Sequence, residues 1–260
     1  MTPTTAAIPK PLKRKRSRWL TLVIVAGVLL AVSMAMTVLN PNNKGNTDDL
    51  DPANPGFSGA QALANVLIDH GVRVTVVRSQ RELLNQTIDD ATTVVITRTT
   101  RLSARTARTA LAHSAPAASV VLLDPDPEVT KGMGLPVTSH LADLTDAKAA
   151  CPTAVVGEDF RLAQGGRAYT PMANASATTT CFPDKSDGGG AMVILPAAEL
   201  GRPPVILLGD DSLISNGAIL DSDNAAIALH LFGQTSHLVW YVPSLADIAP
   251  SESSSRSIAP

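Results

Sequence analysis

Aromatic side chains are scarce in this chain: of its 260 residues four are Phe, two Tyr and two Trp. A platform that stacks sugars or bases needs aromatic faces in number, so that mode of binding is disfavoured. The catalytic signatures that spacing reveals are missing too. There is no GxSxG elbow, Walker loop, GxGxxG turn or HExxH pair, and His70, His113, His140, His230 and His237 show no close ligand spacing. Structural use is the expectation for each histidine. Gly165-Gly166 and Gly188 to Gly190 lack the strand-to-helix setting of a phosphate cradle. No catalytic residue, metal ligand set or cofactor is therefore expected.

Charge is absent between Arg18 and Lys44, and within that gap Trp19 to Leu39 (WLTLVIVAGVLLAVSMAMTVL) supplies 21 mostly apolar residues. As a helix they span about 30 Å, one bilayer core. Lys10, Lys13, Arg14, Lys15, Arg16 and Arg18 precede them, and the positive-inside bias leaves such a cluster in the cytoplasm. A cleaved signal peptide is the rival reading, but its apolar run is shorter and ends in a small-x-small site. Here the exit Met34 to Leu39 has no Ala-x-Ala, and no cysteine follows for lipidation. The expectation is a basic cytoplasmic tail over 1–18, one transmembrane helix over 19–39, and a main domain outside the cytoplasm at the cell membrane.

The net charge of −2 conceals an asymmetry: six of the 21 Lys and Arg precede the membrane segment and none of the 23 Asp and Glu does, leaving −8 outside. Nucleic acid is thereby disfavoured as a partner. Residues 40–56 (NPNNKGNTDDLDPANPG) read as a solvated linker, 57–248 as one α/β domain, and the serine-rich 249–260 as a disordered tail. Cys151 and Cys181 both lie beyond the membrane segment, where a pair is most simply a disulfide. Two buried thiols are the alternative; a catalytic thiol is disfavoured, since neither cysteine follows a strand at a tight turn.

Within the domain, hydrophobic periodicity predicts a helix over 58–70 with Ser58 as N-cap, a strand over 72–77 and a short helix over 81–85. It continues with strands over 93–97 and 119–123 flanking a helix over 103–113. Later come strands over 191–195, 204–208 and 237–242, with a helix over 224–232 before the last. Alternation of this kind predicts a mostly parallel sheet with helices on both faces. Residues 129–190 read as an irregular insertion that contains both cysteines.

In such a sheet, ligands sit beyond the carboxyl ends of the strands. Asp124, Asp126 and Glu128 follow one strand and Asp210 and Asp211 another, so hard oxygen ligands could converge on a divalent cation. The plainer reading is turn and cap chemistry, favoured by Pro125 and Pro127. Gly209 permits a sharp turn, Asp210 or Asp211 can accept backbone N–H bonds within it, and Asp223 or Asn224 can cap the next helix. Arg98, Arg101, Arg105 and Arg108 have the spacing of a helical stripe that could meet a phosphate or anionic lipid; a solvated helix face is simpler. The residues placed for a ligand are Asp124, Asp126, Asp210, Asp211 and Asn216.

Asp51 to Ala64 (DPANPGFSGAQALA), Leu208 to Asn216 (LGDDSLISN), Asp223 to Leu229 (DNAAIAL) and Val239 to Asp247 (VWYVPSLAD) add family-level information. Together they resemble the actinobacterial membrane proteins that carry domain of unknown function 4350. The resemblance covers about residues 19–247. It implies a fold similar to class I glutamine amidotransferases (a flavodoxin-like α/β sheet), and an association with a MoxR-type ATPase and its companion membrane proteins. It implies no established activity. Such proteins usually continue through a second membrane helix into a cytoplasmic tail, whereas this sequence stops in its serine-rich end. The amidotransferase nucleophile is lacking, because the strand ending at Leu123 runs into Asp-Pro-Asp-Pro. The expected function is a non-enzymatic, membrane-anchored binding or assembly module of a cell-envelope complex, with the bilayer and a membrane protein as partners. A metal-dependent hydrolase or transferase using the strand-end carboxylates is the alternative.

Overall fold

The computed structural model describes residues 47–151, 155–175, 177–185, 188–197 and 202–248. The predicted cytoplasmic tail, membrane helix and C-terminal tail lie outside them. No helix among the described residues is long and apolar enough to cross a membrane.

The periodic segments form as the sequence predicts. Helix α1 covers Gln61–Asp69, strand β1 Arg73–Val77, α2 Gln80–Leu84, β2 Thr92–Ile96, α3 Ala104–His113 and β3 Ser119–Leu123. Ser79 and Ser103 cap α2 and α3, each accepting from the backbone N–H three residues on. Strand β10 is Val205–Leu208, helix α5 Asn224–Phe232 and strand β11 His237–Tyr241. Five strands pair in parallel in the order β1-β11-β2-β3-β10. Every residue of β2, β3 and β10 is buried, as a strand covered on both faces requires.

Alternate residues of these strands feed two cores. Val95, Val121, Leu123, Ile206, Leu208 and Trp240 face α1 and α5 through Leu63, Leu67, Ile227 and Leu231. Val94, Ile96, Leu122, Leu207 and Tyr241 face the other way, toward Leu83, Ala107, Leu111 and Met133. The domain is a mixed sheet between two helical layers.

The stretch 129–190 differs from the irregular insertion that the sequence suggests. It holds most of helix α4 (Pro127–Met133) and strands β4 (Val137–Leu141), β5 (Ala147–Lys148), β6 (Arg161–Leu162), β7 (Arg167–Pro171) and β8 (Thr179–Pro183). With β9 (Gly190–Leu195), strands β4, β7 and β8 extend the main sheet antiparallel beyond β10, while β5 and β6 make a separate pair. The reason for the difference is composition: β7 (RAYTP) and β8 (TTCFP) carry little of the apolar alternation that marks a strand. The Cys151–Cys181 disulfide forms and links this region to itself across 30 residues.

Two helix starts also differ. Helix α1 begins at Gln61, and Ser58 does not cap it; its carbonyl accepts from Leu50 N–H instead. No side chain of Asp223 caps α5 either, because its carboxylate accepts from Arg161 N–H at 2.8 Å. Asn224 is also turned to tertiary use, its Oδ1 accepting from Ala163 N–H and its Nδ2 donating to Ala218 O.

Candidate functional site at the carboxyl edge of the sheet

Three loops meet where β2, β3 and β10 end, and a short leading segment packs beside them. Strands β3 and β10 are neighbours, so Asp124 and Asp210 to Asp211 emerge side by side. Asp124 adopts a left-handed backbone (φ 42°), with its N–H donating to Leu208 O at 2.7 Å. Thr99 Oγ1, from the loop after β2, donates to the carbonyls of Leu123 and Asp124 at 3.1 and 2.9 Å. The three strand ends are thus laced together by one backbone bond and the Thr99 hydroxyl.

Asp124, Asp126 and Asp210 already have work in the fold. Asp124 Oδ1 accepts from Arg167 Nε at 2.8 Å, across from β7. Asp126 is the N-cap of α4, accepting from Val129 N–H at 2.9 Å, with Pro127 as the first helical residue. Asp210 Oδ1 accepts from the N–H and hydroxyl of Ser212 at 2.9 and 2.6 Å, the Asx geometry of a tight turn. Asp210 Oδ2 is buried and makes no hydrogen bond among the described residues. Burial raises the Asp124, Asp210 and Asp211 carboxyls above their ordinary values, and the Arg167 guanidinium partly offsets this at Asp124. For Asp211, burial together with the neighbouring charges of Asp124 and Asp210 pushes it up to about 6. The three carboxylates feel one another electrostatically, yet among the described residues no group of three or more His, Cys, Asp or Glu is placed to hold a metal ion.

Asn216 is brought to the same edge but serves the fold. Its Oδ1 accepts from Ala62 N–H at 2.9 Å, capping α1 from 154 residues away, and its Nδ2 donates to the carbonyls of Asn54 and Gly56 at 3.0 and 2.6 Å. This fastening corrects the reading of 40–56 as solvated throughout. Within its described part Leu50, Asp51 and Asn54 are buried. Asp51 receives two bonds from Arg78, Nε to Oδ2 at 2.7 Å and Nη2 to Oδ1 at 2.8 Å.

Between this leading segment and the strand-end loops lies an open cleft of about 490 Å³, lined on one side by Asp49, Leu50, Phe57 and Ser58. Arg98, Thr100 and Arg101 line it from the loop after β2, and Asp211, Ser212 and Ser215 from the loop after β10. Phe57 stands 81% exposed at the cleft, its ring lying over Gly217. Of the residues placed for a ligand from sequence, only Asp211 lines the cleft.

The arginine stripe does not form. Arg98 sits in a left-handed conformation before a 3₁₀ turn at Thr99–Arg101, and Ser103 is extended, so only Arg105 and Arg108 lie on α3. Arg108 Nε donates to Gly132 O at 3.0 Å. The histidines for which contacts are seen have structural ones: His113 meets Gln86 O, His140 pairs with Asp184, His237 meets Thr75, and His230 packs edge-on to Phe160. Arg167 and Tyr169 were invisible in the sequence. Burial pushes the Tyr169 phenol far up, and its hydroxyl donates to Pro125 O at 3.0 Å, buttressing the Asp124 turn. Gly209, read from the sequence as a turn residue, approaches β7 closely.

This chain resembles a known membrane protein. It is 26% identical over 245 residues to the uncharacterized membrane protein Rv3691 of Mycobacterium tuberculosis (strain ATCC 25618 / H37Rv), a match that covers 94% of this chain. The chain spans 60% of that relative's length. No solved structure matches. The family model of domain of unknown function 4350 (DUF4350) matches residues 52–232, from the leading segment to the end of α5, and the chain belongs to that family.

Proposed function

We propose that this protein is a membrane-anchored module whose α/β domain lies outside the cytoplasm and binds a partner or small ligand in the cleft at the carboxyl edge of its sheet. The observation that carries the reading is the division of labour at that edge. Asp124, Asp126 and Asp210 are engaged in an ion pair, a helix cap and a turn. The cleft beside them instead presents two arginines, four hydroxyls and an exposed phenylalanine, groups suited to recognition. The membrane placement is supported by the membrane relative and by the apolar, positively flanked segment at 19–39. A membrane protein of a MoxR-type ATPase-associated complex is the partner that the family resemblance suggests.

The test is in-cell photocrosslinking of the full-length protein with a crosslinking residue at Thr100 or Ser212, and at Glu128, outside the cleft, as control. A dominant crosslinked species from the two cleft positions and none from Glu128 supports the reading. Equal background at all three positions refutes it. Divalent-dependent hydrolase activity of the purified full-length chain, lost on Asp124→Ala or Asp210→Ala, would put the metal-dependent hydrolase or transferase in its place.

A further inference from the structure

Two aspartates of the leading segment meet arginines, and they meet them differently. Asp51 is fully buried and takes the bidentate contact of Arg78, the geometry of a permanent clamp. Asp48, three residues earlier, is 48% exposed, and its Oδ1 lies 2.6 Å from Arg98 Nη1 and 3.9 Å from Arg101 Nη1. Two cations that line the open cleft therefore converge on one carboxylate oxygen. Arg98 is nine-tenths buried, and its Nη1 meets the Asp48 carboxylate, which that contact holds below the ordinary carboxylate range. Burying a guanidinium is costly unless an anion accompanies it, and the chain meets that need with a carboxylate that stays half in water. Arg98 also holds a left-handed backbone (φ 49°), a conformation that is uncommon outside glycine and concentrates at functional sites.

We infer that Arg98 and Arg101 form a carboxylate-binding site in which Asp48 stands in for the carboxylate of an incoming peptide, either an acidic side chain or a C-terminus. This rests on the reading of the cleft as a binding site and adds the chemistry of what it takes. A carboxylate fits better than a phosphate for two reasons. The site already accommodates a carboxylate at bonding distance. Asp49 and Asp211 line the same cleft, and their negative field opposes a dianion more strongly than a monoanion. Thr100, Ser58, Ser212 and Ser215 supply donors and acceptors for the peptide backbone beside it, and Phe57 an apolar contact at the mouth.

The experiment uses full-length protein in detergent and two fluorescent N-acetylated acidic peptides of one carboxylate each, one ending in Glu-amide and one ending in Gln with a free C-terminus. Their uncharged counterpart, ending in Gln-amide, together with inorganic phosphate and acetate, serves for comparison. Removing the internal competitor with Asp48→Asn should tighten binding of one acidic peptide or the other about ten-fold. Adding Arg101→Gln to that variant should abolish the gain, and the uncharged peptide should not bind. No gain for either acidic peptide in an Asp48→Asn protein that melts like the parent overturns the inference, as does stronger displacement by phosphate than by acetate. Should Asp48→Asn not fold, Arg101→Gln alone, at a side chain still 27% exposed, decides: weaker acidic-peptide binding supports the site, and unchanged binding refutes it. Photocrosslinks at Thr100 and Ser212 that persist while these variants have no effect would leave the cleft reading standing and remove only the carboxylate site.

Discussion

The parallel strands β1, β11, β2, β3 and β10 and the antiparallel strands β9, β7, β4 and β8 belong to one continuous sheet, but they are held in place by different means. In the parallel half the side chains do the holding: Val94 to Ile96, Val120 to Leu123 and Val205 to Leu208 are all buried between helices. In the antiparallel half β9 is apolar and almost wholly buried, but β4, β7 and β8 mix polar with apolar residues, and Leu141 on the edge strand is 77% exposed. There the fastenings are covalent, polar and steric: the Cys151–Cys181 bond, the His140–Asp184 contact at 2.8 Å, and glycines that let backbones touch. A half built on area tolerates small changes of shape, whereas one built on a few close contacts depends on each of them.

The seam between the halves is where this contrast is put to its hardest test. Gly209 N–H donates to Ala191 O, and its carbonyl accepts from both Gly166 and Arg167 N–H. A Cβ at position 209 would lie 1.8 Å from Arg167 O, a backbone atom that cannot swing aside. Gly209→Ala is expected to cost more than about 3 kcal/mol and to leave little folded protein, as read by denaturant titration. A variant with parental stability would mean that the seam is far more pliable than its packing implies.

Next in size is the disulfide. Replacing Cys151 and Cys181 together by alanine should cost about 3–4 kcal/mol in the chain-entropy picture. Hydrogen exchange should show the loss as faster exchange in β7, β8 and β9, with β2 and β3 still protected. Uniform loss across all strands would erase the distinction between the halves.

Smaller effects probe the strand-end carboxylates. Asp126→Ala removes the N-cap of α4 and should cost about 1 kcal/mol in thermal unfolding, less than either seam or disulfide. Asp211→Asn should have the opposite sign. Because the folded carboxyl titrates at about 6 against an ordinary 3.8, the folded state binds the extra proton between those pH values. Its penalty is therefore absent below about pH 4, grows as pH rises through 6 and is complete by about 7. The amide variant should gain about 1 kcal/mol at pH 7, discounted for partial water contact, and nothing at pH 4. A gain independent of pH would place its cause elsewhere than in the charge.

What was legible in the sequence follows apolar content, which is why β9 at Gly190–Leu195 could be read although it lies in the antiparallel half. Elements of the parallel half, such as β3 at Ser119–Leu123 and α5 at Asn224–Phe232, could be read because burial imposes an apolar period on them. Strands β5 and β6 have two residues each, and β7 contains an arginine and a proline, so no period exists to be read. At the site, the turn and cap roles of Asp126 and Asp210 were visible because their partners lie two or three residues away. The Arg167 bond to Asp124 and the Asn216 cap of Ala62 span 43 and 154 residues, and only the strand order brings such partners together. Asp48 was overlooked because it sits in a run of Asn, Asp and Pro that has the composition of a solvated linker.

The strand order also sets a schedule for the newly made chain. Among the described residues strand β1 pairs only with β11, and α1 receives its cap from Asn216. The first helix and strand of the domain to be synthesised must therefore wait for the last strand before either is complete, with their apolar faces uncovered meanwhile. Any chain that breaks off before about residue 241 lacks the partner of β1. Such a fragment leaves its opening segment exposed to proteases and chaperones, so the fold inspects its own completeness.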